Sequence, residues 1–352
     1  MEFLLDYGLF LAKVLTFAAV VIVVLILAKS AGGRQGQKGE LEITNLTEKH
    51  KDLVHSMESH LYDEAALKAR DKADKKAEKA KAKEAKAEAK KVTDSEALAA
   101  GRKPHLFVLD FKGSIDAREV ASLREEVTAI LAVAKDGDEV MIRLESGGGM
   151  VHAYGLASSQ LARIKQAGIP LTVSVDKVAA SGGYMMACVA DKIIAAPFAV
   201  VGSIGVIAQL PNFNKLLKKH DIEFEQLTAG EFKRTLTMFG ENTDKAREKF
   251  LSELEETHTL FKDFIAEHRP SLELEKVATG EHWFGNQALP LGLIDNVGTS
   301  DDYLVSAVKE KDVLGVRYVH RKKLAEKLAG ASADALDRVL LKWISRGQRP
   351  IV

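Results

Sequence analysis

Two glycine-bearing junctions hold the residues of this chain that are best suited to chemistry. Ser181 lies in VAASGGY (residues 178–184), after an apolar run typical of a strand and before a run typical of a helix. Upstream, Gly148 and Gly149 belong to a second turn, ESGGGM (residues 145–150). A serine hydroxyl can act as a nucleophile, and free backbone N–H groups in a glycine turn can stabilise an oxyanion. Together the two junctions predict acyl transfer, if the fold brings them to one point.

A serine nucleophile also needs a base. The chain has ten histidines, but neither His152, just after the first turn, nor His220, at a polar helix end, lies in a motif that would orient it. Lysine is the alternative, if burial or neighbouring charges lower its pKa from about 10.4. Lys233, in the run AGEFKRTL, follows a predicted strand over residues 222–227 and a glycine bend. By residue chemistry alone, an ordinary surface lysine fits this pattern as well.

The elements that must position these residues alternate along the chain from residue 105 onward. An Asp116–Glu119 pair has the spacing of a capping box at the first helix. The alternation predicts an α/β fold with a mostly parallel sheet and right-handed crossovers. Both glycine turns fall at the carboxyl ends of predicted strands, where binding sites of parallel sheets usually lie. Strands are predicted at residues 105–111, 139–144 and 170–175, and helices at residues 116–135, from the first glycine turn to 167, and from 182 onward.

Composition excludes several classes of protein. The chain has 352 residues, a length that suggests about two structural parts. Its 50 Lys and Arg balance 50 Asp and Glu, so net charge gives no support to nucleic-acid binding. The single cysteine, Cys188, excludes an intramolecular disulfide and a Cys-based zinc site, and we predict that it is buried. No metal or cofactor is predicted. Tyr184, Met185 and Met186 belong either to the core or to a substrate pocket.

The N-terminus has the pattern of a membrane anchor. Residues 8–28 are apolar except for Lys13, and about 20 such residues span a bilayer as a helix. The alternative is a cleaved signal peptide, but the residues before the apolar run are acidic rather than basic. Basic residues follow the run, which by the positive-inside rule favours a cytoplasmic position for the rest of the chain. A second apolar stretch, residues 193–210, contains proline and glycines and is interpreted as short buried strands.

Domain boundaries follow from changes in composition. Residues 1–29 form the predicted anchor, and residues 30–100 form a charged linker, helical or disordered. Within that linker, residues 67–92 carry eleven basic against five acidic side chains and could build no core. A catalytic domain is predicted at residues 101–312, including a long amphipathic helix at 243–268. The remainder, 313–352, is predicted to be a strand and an amphipathic helix that serves as a subunit contact.

Four motifs in the same order resemble those of the SohB and signal peptide peptidase A family of serine peptidases. They are ESGGGM, AASGGY, GSIGV (residues 202–206) and AGEFKRTL, and the stretch at residues 280–298 resembles the family's ending. The resemblance covers residues 105–312. It implies a ClpP/crotonase-like fold of repeated β-β-α units with a mostly parallel sheet, in a protein anchored in the bacterial inner membrane.

The resemblance also implies roles for individual residues. Ser181 resembles the nucleophile of the family, and Lys233, which lies 52 positions downstream, resembles its general base. Ser203 resembles the serine that orients the lysine. The implied activity is that of a membrane-anchored serine endopeptidase with a Ser-Lys dyad, acting on signal peptides or other membrane-proximal polypeptides. The implied oxyanion-hole donors are Gly148 or Gly149, together with Gly182.

Some features depart from the family or stay open. Gly147 stands where the family commonly has a proline, and no histidine occurs at residues 206–209, where ClpP-type relatives place a catalytic one. The resemblance implies a ring-like homo-oligomer and a periplasmic catalytic domain, whereas the charge bias favours the cytoplasm. Alternative functions are a crotonase-like acyl-CoA enzyme and a catalytically silent membrane scaffold.

Overall fold

The computed structural model describes residues 39–63 and 102–320, together with the single positions Phe17 and Lys76. Contacts divide the chain into two compact units, Met1–Leu41 with Tyr318–Val352, and Glu42–Arg317. All the elements around Ser181 belong to the second unit. The predicted anchor and C-terminal helix lie outside the described ranges. Inside those ranges, no helix combines the length and the apolar character needed to cross a membrane.

Strands and helices alternate through most of the described ranges. The strands are β1 (Gly39–Asn45), β2 (His105–Lys112), β3 (Glu139–Glu145), β4 (Leu171–Val175), β5 (Val178–Ala180), β6 (Lys192–Ala195), β7 (Val200–Gly202), β8 (His282–Phe284), β9 (Asn296–Val297) and β10 (Asp312–His320). The helices are α1 (Leu46–Leu61), α2 (Val120–Val133), α3 (Val151–Gln166), α4 (Gly182–Ala187), α5 (Asn214–Lys219), α6 (Asp244–His268), α7 (Leu274–Val277), α8 (Gly285–Ala288) and α9 (Ser300–Glu310).

The strands form two sheets. The larger sheet has the order β1-β10-β2-β3-β4-β6-β9, and its pairs from β10 to β9 are parallel. The smaller sheet has the order β5-β7-β8, with β5 and β7 parallel and β8 antiparallel to β7. The predicted α/β class with a mostly parallel sheet is therefore confirmed. The sequence pattern did not distinguish the short strands β5 and β7 from the longer apolar runs that contain them.

Helices cover both faces of the larger sheet, because its strands are apolar on both sides. On β2, Phe107 and Phe111 are buried on one face, and Leu106 and Val108 on the other. The second pair belongs to a core cluster against which Leu304 of α9 packs. Strand β4 is buried along its whole length, as expected for a central parallel strand. Helix α2 contacts β2 and α3, and α3 contacts β4 and α4.

The first helix of the catalytic region begins later than predicted. Helix α2 starts at Val120, and the predicted Asp116–Glu119 capping box does not form. The Ser114 hydroxyl lies within hydrogen-bond distance of Asp116, at 2.7 Å, and of Glu119, at 2.8 Å, and can donate its one proton to either. The Ser114 N–H donates to Glu119 at 3.1 Å. Both carboxylates therefore stabilise the loop after β2 through Ser114 instead of capping a helix. The position of Ser114 in the folded loop determines this arrangement.

Two other segments differ from the sequence-based expectation. Residues 222–227, predicted as a strand, lie in an exposed segment without strand pairing. Conversely, β1 and α1 occupy part of the range predicted as a linker. The alternating sequence of β1 joins the sheet edge, and the side chain of Asn45 caps α1 by accepting from the N–H of Glu48 at 3.0 Å. The long helix predicted at residues 243–268 is confirmed as α6, with Thr243 as its N-cap.

Candidate active site

Ser181 lies at the junction between β5 and α4 in a strained backbone conformation. Its φ is +52° and its ψ −118°, values that cost of order 1–3 kcal/mol in a residue other than glycine. The surroundings enforce this geometry. The N–H of Ser181 donates to the carbonyl of Gly202 at 2.8 Å, and its carbonyl accepts from the N–H of Met185 at 3.0 Å. Strand β7 on one side and helix α4 on the other therefore hold this serine.

Ser203 occupies the equivalent position after the neighbouring strand. Ala180 of β5 pairs with Gly202 of β7, so Ser181 and Ser203 are the first residues beyond a matched pair. Ser203 has φ +51°, and its N–H donates to the carbonyl of Glu281 at 2.7 Å. The two serines line one cavity.

The first glycine turn touches the Ser181 junction directly. Gly148 has φ +85°, and a Cβ on it would lie 2.7 Å from the backbone nitrogen of Gly182 and 2.8 Å from the Cβ of Ser181. Only glycine fits there, because both the left-handed φ and the backbone contact exclude a side chain. Gly182 is confined in turn, since a Cβ on it would lie 2.5 Å from the ring of Tyr154.

Ser146 joins the two junctions through its backbone. Its N–H donates to the carbonyl of Val178 at 2.8 Å, and its carbonyl accepts from the N–H of Ala180 at 3.0 Å. The strand before the glycine turn therefore pairs with the strand before Ser181. This pairing is the tertiary contact that brings the two sequence motifs together.

Several backbone donors near Ser181 have no partner within the described ranges. The N–H groups of Gly147, Gly149 and Gly182 donate to no acceptor in residues 39–63 and 102–320. Gly149 lines both cavities that contain Ser181, and Gly182 lines the smaller one. The N–H of Gly182 is also at the first turn of α4, where helix N–H groups have no intrahelical partner. The arrangement can stabilise a developing negative charge near the Ser181 hydroxyl.

Two cavities meet at Ser181. The larger has a volume of about 920 Å³ and is bounded by the glycine turn, Ser203 and one side of α6. The smaller, of about 270 Å³, is apolar. We call it the apolar subsite and define it by Val151, Gly155, Met185, Leu260, Phe261 and Phe264.

The side chains of α4 divide between core and cavity. Met185 lines the apolar subsite, whereas Tyr184 is fully buried and its hydroxyl donates to the carbonyl of Leu293 at 2.9 Å. Cys188 is also fully buried, which confirms the prediction, and burial raises the pKa of its thiol. Among the residues that the sequence left between core and pocket, only Met185 lines the cavity at Ser181.

The structure gathers the predicted site residues with one exception. Ser181, Ser203, Gly148 and Gly149 line the larger cavity, and Gly182 lines the smaller one together with Ser181 and Gly149. Lys233 lines neither cavity. Lys233 is exposed and lies in the segment between α5 and α6, which contains no helix or strand.

That segment, residues 220–243, accepts hydrogen bonds from side chains that lie just before it in the sequence. The side chain of Asn212 donates to the carbonyls of Thr237 and Gly240, and that of Asn214 to the carbonyl of Phe239. The segment exposes large apolar side chains, namely Ile222, Phe224, Leu227, Phe232, Met238 and Phe239.

One histidine that the sequence reasoning did not consider lies in the larger cavity. His258, on α6, lines it together with Glu255, one turn earlier. The Nε2 atom of His258 is buried and has no hydrogen-bond partner among the described residues. His152 and His220, the two considered, do not line the cavity. Polar residues spaced three apart, at 252, 255 and 258, were the available signal, because this spacing puts them on one helix face.

Comparisons with known proteins agree on one family. A sequence model described as "Peptidase family S49 N-terminal" matches residues 2–161, and one described as "Peptidase family S49" matches residues 163–314. The "Probable protease SohB" of Haemophilus influenzae is 51% identical over 349 residues, covering 99% of this chain and 98% of that one. A protein of the same name from Buchnera aphidicola subsp. Acyrthosiphon pisum is 50% identical over 343 residues, covering 97% and 98%.

More distant similarities were also found. "Protease 4" of Haemophilus influenzae is 27% identical over 183 residues, which cover 51% of this chain and 30% of that protein. Two solved structures of the 1510-N membrane-bound stomatin-specific protease, one of them with a substrate peptide, superpose with TM-scores of 0.38 and 0.39. Their identities are 18% and 17%, and they cover 58% and 66% of this chain and 84% and 99% of theirs.

Proposed function

The chain belongs to the SohB proteases of peptidase family S49, and we propose that this peptidase is a membrane-anchored serine endopeptidase with Ser181 as its nucleophile. The observation that carries the proposal is the left-handed backbone of Ser181 at a strand–helix junction, beside the backbone N–H groups of Gly149 and Gly182, which are unpartnered among the described residues. Strain of this kind persists where the surrounding structure enforces it, and it clusters at functional sites. A merely structural serine at this position would be replaced without loss by glycine.

The proposed reaction is acyl transfer from a peptide bond to Ser181 and then to water. The Ser181 hydroxyl attacks the peptide carbonyl while a base removes its proton, and backbone N–H groups stabilise the oxyanion. The protonated base then donates its proton to the leaving amine, which departs as the C–N bond breaks. Water hydrolyses the acyl-enzyme and restores the hydroxyl.

We assign the base to Lys233, with Ser203 orienting its amine. Ser203 already borders the cavity, so a lysine amine that enters the cavity beside it would lie next to Ser181. Lys233 must be brought there by a change in the position of residues 220–243. The apolar side chains that this segment exposes support assembly of a homo-oligomer as the cause, because contiguous exposed apolar surface marks interaction sites.

The substrate class follows from the cavities. The apolar subsite has room for an aliphatic side chain next to the bond that Ser181 attacks, and the open, larger cavity suits an extended polypeptide. Glu255 and His258 give that larger cavity a polar wall. With residues 1–29 as an anchor in the bacterial inner membrane, signal peptides and other polypeptides near the bilayer are the proposed substrates.

Labelling with a fluorophosphonate probe tests the nucleophile. We expect the full-length chain to form one adduct, mapped by mass spectrometry to Ser181, and to hydrolyse a fluorogenic peptide with an apolar residue before the cleaved bond. Ser159→Ala, on an exposed face of α3, is the matched control and should label normally. Peptide hydrolysis that survives Ser181→Ala would refute the proposal. An unlabelled Ser181 in protein that binds acyl-CoA would instead favour a crotonase-like enzyme.

A further inference from the structure

A chain of three hydrogen bonds runs from the glycine turn into the core. The N–H of Gly148 donates to the hydroxyl oxygen of Ser146 at 3.1 Å. The hydroxyls of Ser146 and Tyr154 lie 2.5 Å apart. The Tyr154 hydroxyl donates to the carbonyl of Ser114 at 2.8 Å.

The direction of these bonds is fixed by the chemistry of the groups. A backbone carbonyl only accepts, so the single hydroxyl proton of Tyr154 goes to Ser114. Ser146 must then donate its own proton to Tyr154. Its oxygen keeps a lone pair for the N–H of Gly148. Each member therefore has one role, and loss of any hydroxyl leaves another group unpaired.

Burial makes this chain persistent. Ser146 is 2% exposed and Tyr154 is not exposed at all. Buried polar groups almost always need partners, and hydrogen bonds strengthen in the low dielectric of a protein interior. Burial also raises the pKa of the Tyr154 phenol, so the hydroxyl keeps the proton that it donates to Ser114.

The chain determines which glycine N–H groups can face the substrate. The N–H of Gly148 is committed to Ser146, whereas those of Gly147, Gly149 and Gly182 are unpartnered in the described part of the chain. Of the two unpartnered glycines in the turn, Gly149 lines both cavities that contain Ser181, and Gly147 lines only the larger one. The ring of Tyr154 lies against Gly182, one of these donors, where any Cβ would collide with it. Its hydroxyl, through Ser146, holds the turn that contains Gly149, another of these donors.

We propose that Ser146 and Tyr154 are positioning residues, which hold the glycine turn so that the N–H groups of Gly149 and Gly182, and not that of Gly148, form the oxyanion hole. This inference rests on the proposed function of Ser181 and deepens it. Neither side chain lines a cavity at Ser181, so both act through the backbone of the turn.

Steady-state kinetics of Ser146→Ala and Tyr154→Phe in the full-length chain test the inference. We expect each to lower kcat about 10- to 100-fold with KM nearly unchanged, because misaligned donors weaken only the transition state, and loss of a donor outright costs about 10²–10³-fold. The double variant should be no slower than the slower single variant, since both break one chain. Inhibition by a peptide boronate should weaken in parallel with kcat/KM.

Ser158→Ala is the matched control. Ser158 is a buried serine on the same helix, and its hydroxyl donates to the backbone carbonyl of Tyr154 at 2.9 Å without joining the chain. It should keep kcat while losing a comparable amount of thermal stability. Wild-type kcat in both single variants, multiplicative losses in the double variant, or an equal loss in Ser158→Ala would each overturn the inference. A wild-type protein that neither labels at Ser181 nor cleaves peptide would overturn the proposed function itself, and the inference with it.

Discussion

Ser181 and Ser203 leave two paired parallel strands at the same register and share the same left-handed backbone, with φ of +52° and +51°. Two non-glycine residues with positive φ at matching positions on neighbouring strands are uncommon, because the left-handed region is unfavourable for residues other than glycine. Their pairing means that the small sheet ends in two side-by-side hydroxyl-bearing turns, both of which border the larger cavity. A nucleophile and a hydroxyl that orients its base need this proximity.

Replacing Ser181 separates strain from function. We expect Ser181→Gly to be more stable than Ser181→Ala by about 1 kcal/mol, because glycine adopts a positive φ without strain. Both variants should lose at least about 10³-fold in kcat, because the nucleophile is absent. Urea unfolding and peptide turnover, measured on the same preparations, provide the comparison. Equal stability of the two variants would show that Ser181 is not strained in solution.

Lys233 should be essential for turnover although it lies outside the cavity. We expect Lys233→Ala to lower kcat at least about 10³-fold, as removal of the base does in other serine peptidases, with little change in unfolding temperature. Lys219→Ala, another exposed lysine in the same part of the chain, should keep normal turnover. Normal kcat in Lys233→Ala would exclude it as the base and direct attention to His258.

Gly155 offers a way to fill the apolar subsite. A Cβ on Gly155 meets no atom within 4 Å, so a side chain can begin there without a clash, and Gly155 lines the apolar subsite. We expect Gly155→Leu to raise KM about tenfold or more for peptides with leucine before the cleaved bond, and to spare those with alanine, because its side chain occupies the subsite. A peptide library scored by mass spectrometry would measure the shift.

Gly155→Ala is the control for that substitution. It should raise stability by up to about 1 kcal/mol through helix propensity and leave the leucine-to-alanine selectivity nearly unchanged. Loss of activity toward both peptides in Gly155→Leu would indicate damage to the site rather than a filled subsite.

Acid should weaken the fold through Asp295. Burial raises the pKa of its carboxyl, but bonds from the Arg269 guanidinium at 2.8 and 2.9 Å and from the N–H of Ile193 at 2.7 Å outweigh burial and lower it below the ordinary 3.8. A carboxyl with a depressed folded-state pKa stabilises the fold above its unfolded pKa. That contribution is lost as pH falls through 3.8 to the folded-state value.

The matching variant is Asp295→Asn. We expect it to lose about 1 kcal/mol of stability at pH 7, below the usual scale of hydrogen bonds to a charged group, because solvent reaches the Asp295 carboxylate and screens its pair with Arg269. Its unfolding free energy should also fall less steeply than that of the wild type between pH 5 and pH 3. Urea unfolding across this range measures both. Parallel curves for the two proteins would rule out a contribution from Asp295.

The sequence by itself determined the local features of this protein. The alternation of apolar runs determined a parallel α/β fold and the long helix α6, because these patterns depend on burial along single elements. The glycine-flanked Ser181 and Gly148 were identifiable, because their chemistry is tied to residue type and a tight turn. The motifs also placed the chain among the S49 peptidases.

Only the tertiary structure decided which groups meet. Backbone bonds from Ser146 to the strand before Ser181 join turns more than thirty residues apart, and no local pattern encodes that pairing. Residues 222–227, predicted as a strand, pair with no strand in the described part of the chain and stay exposed, because strand formation requires a partner strand that the local pattern does not encode. Commitment of the Gly148 N–H to Ser146 depends on Tyr154 reaching from α3 under the turn, a contact that arises only when helix and sheet pack together.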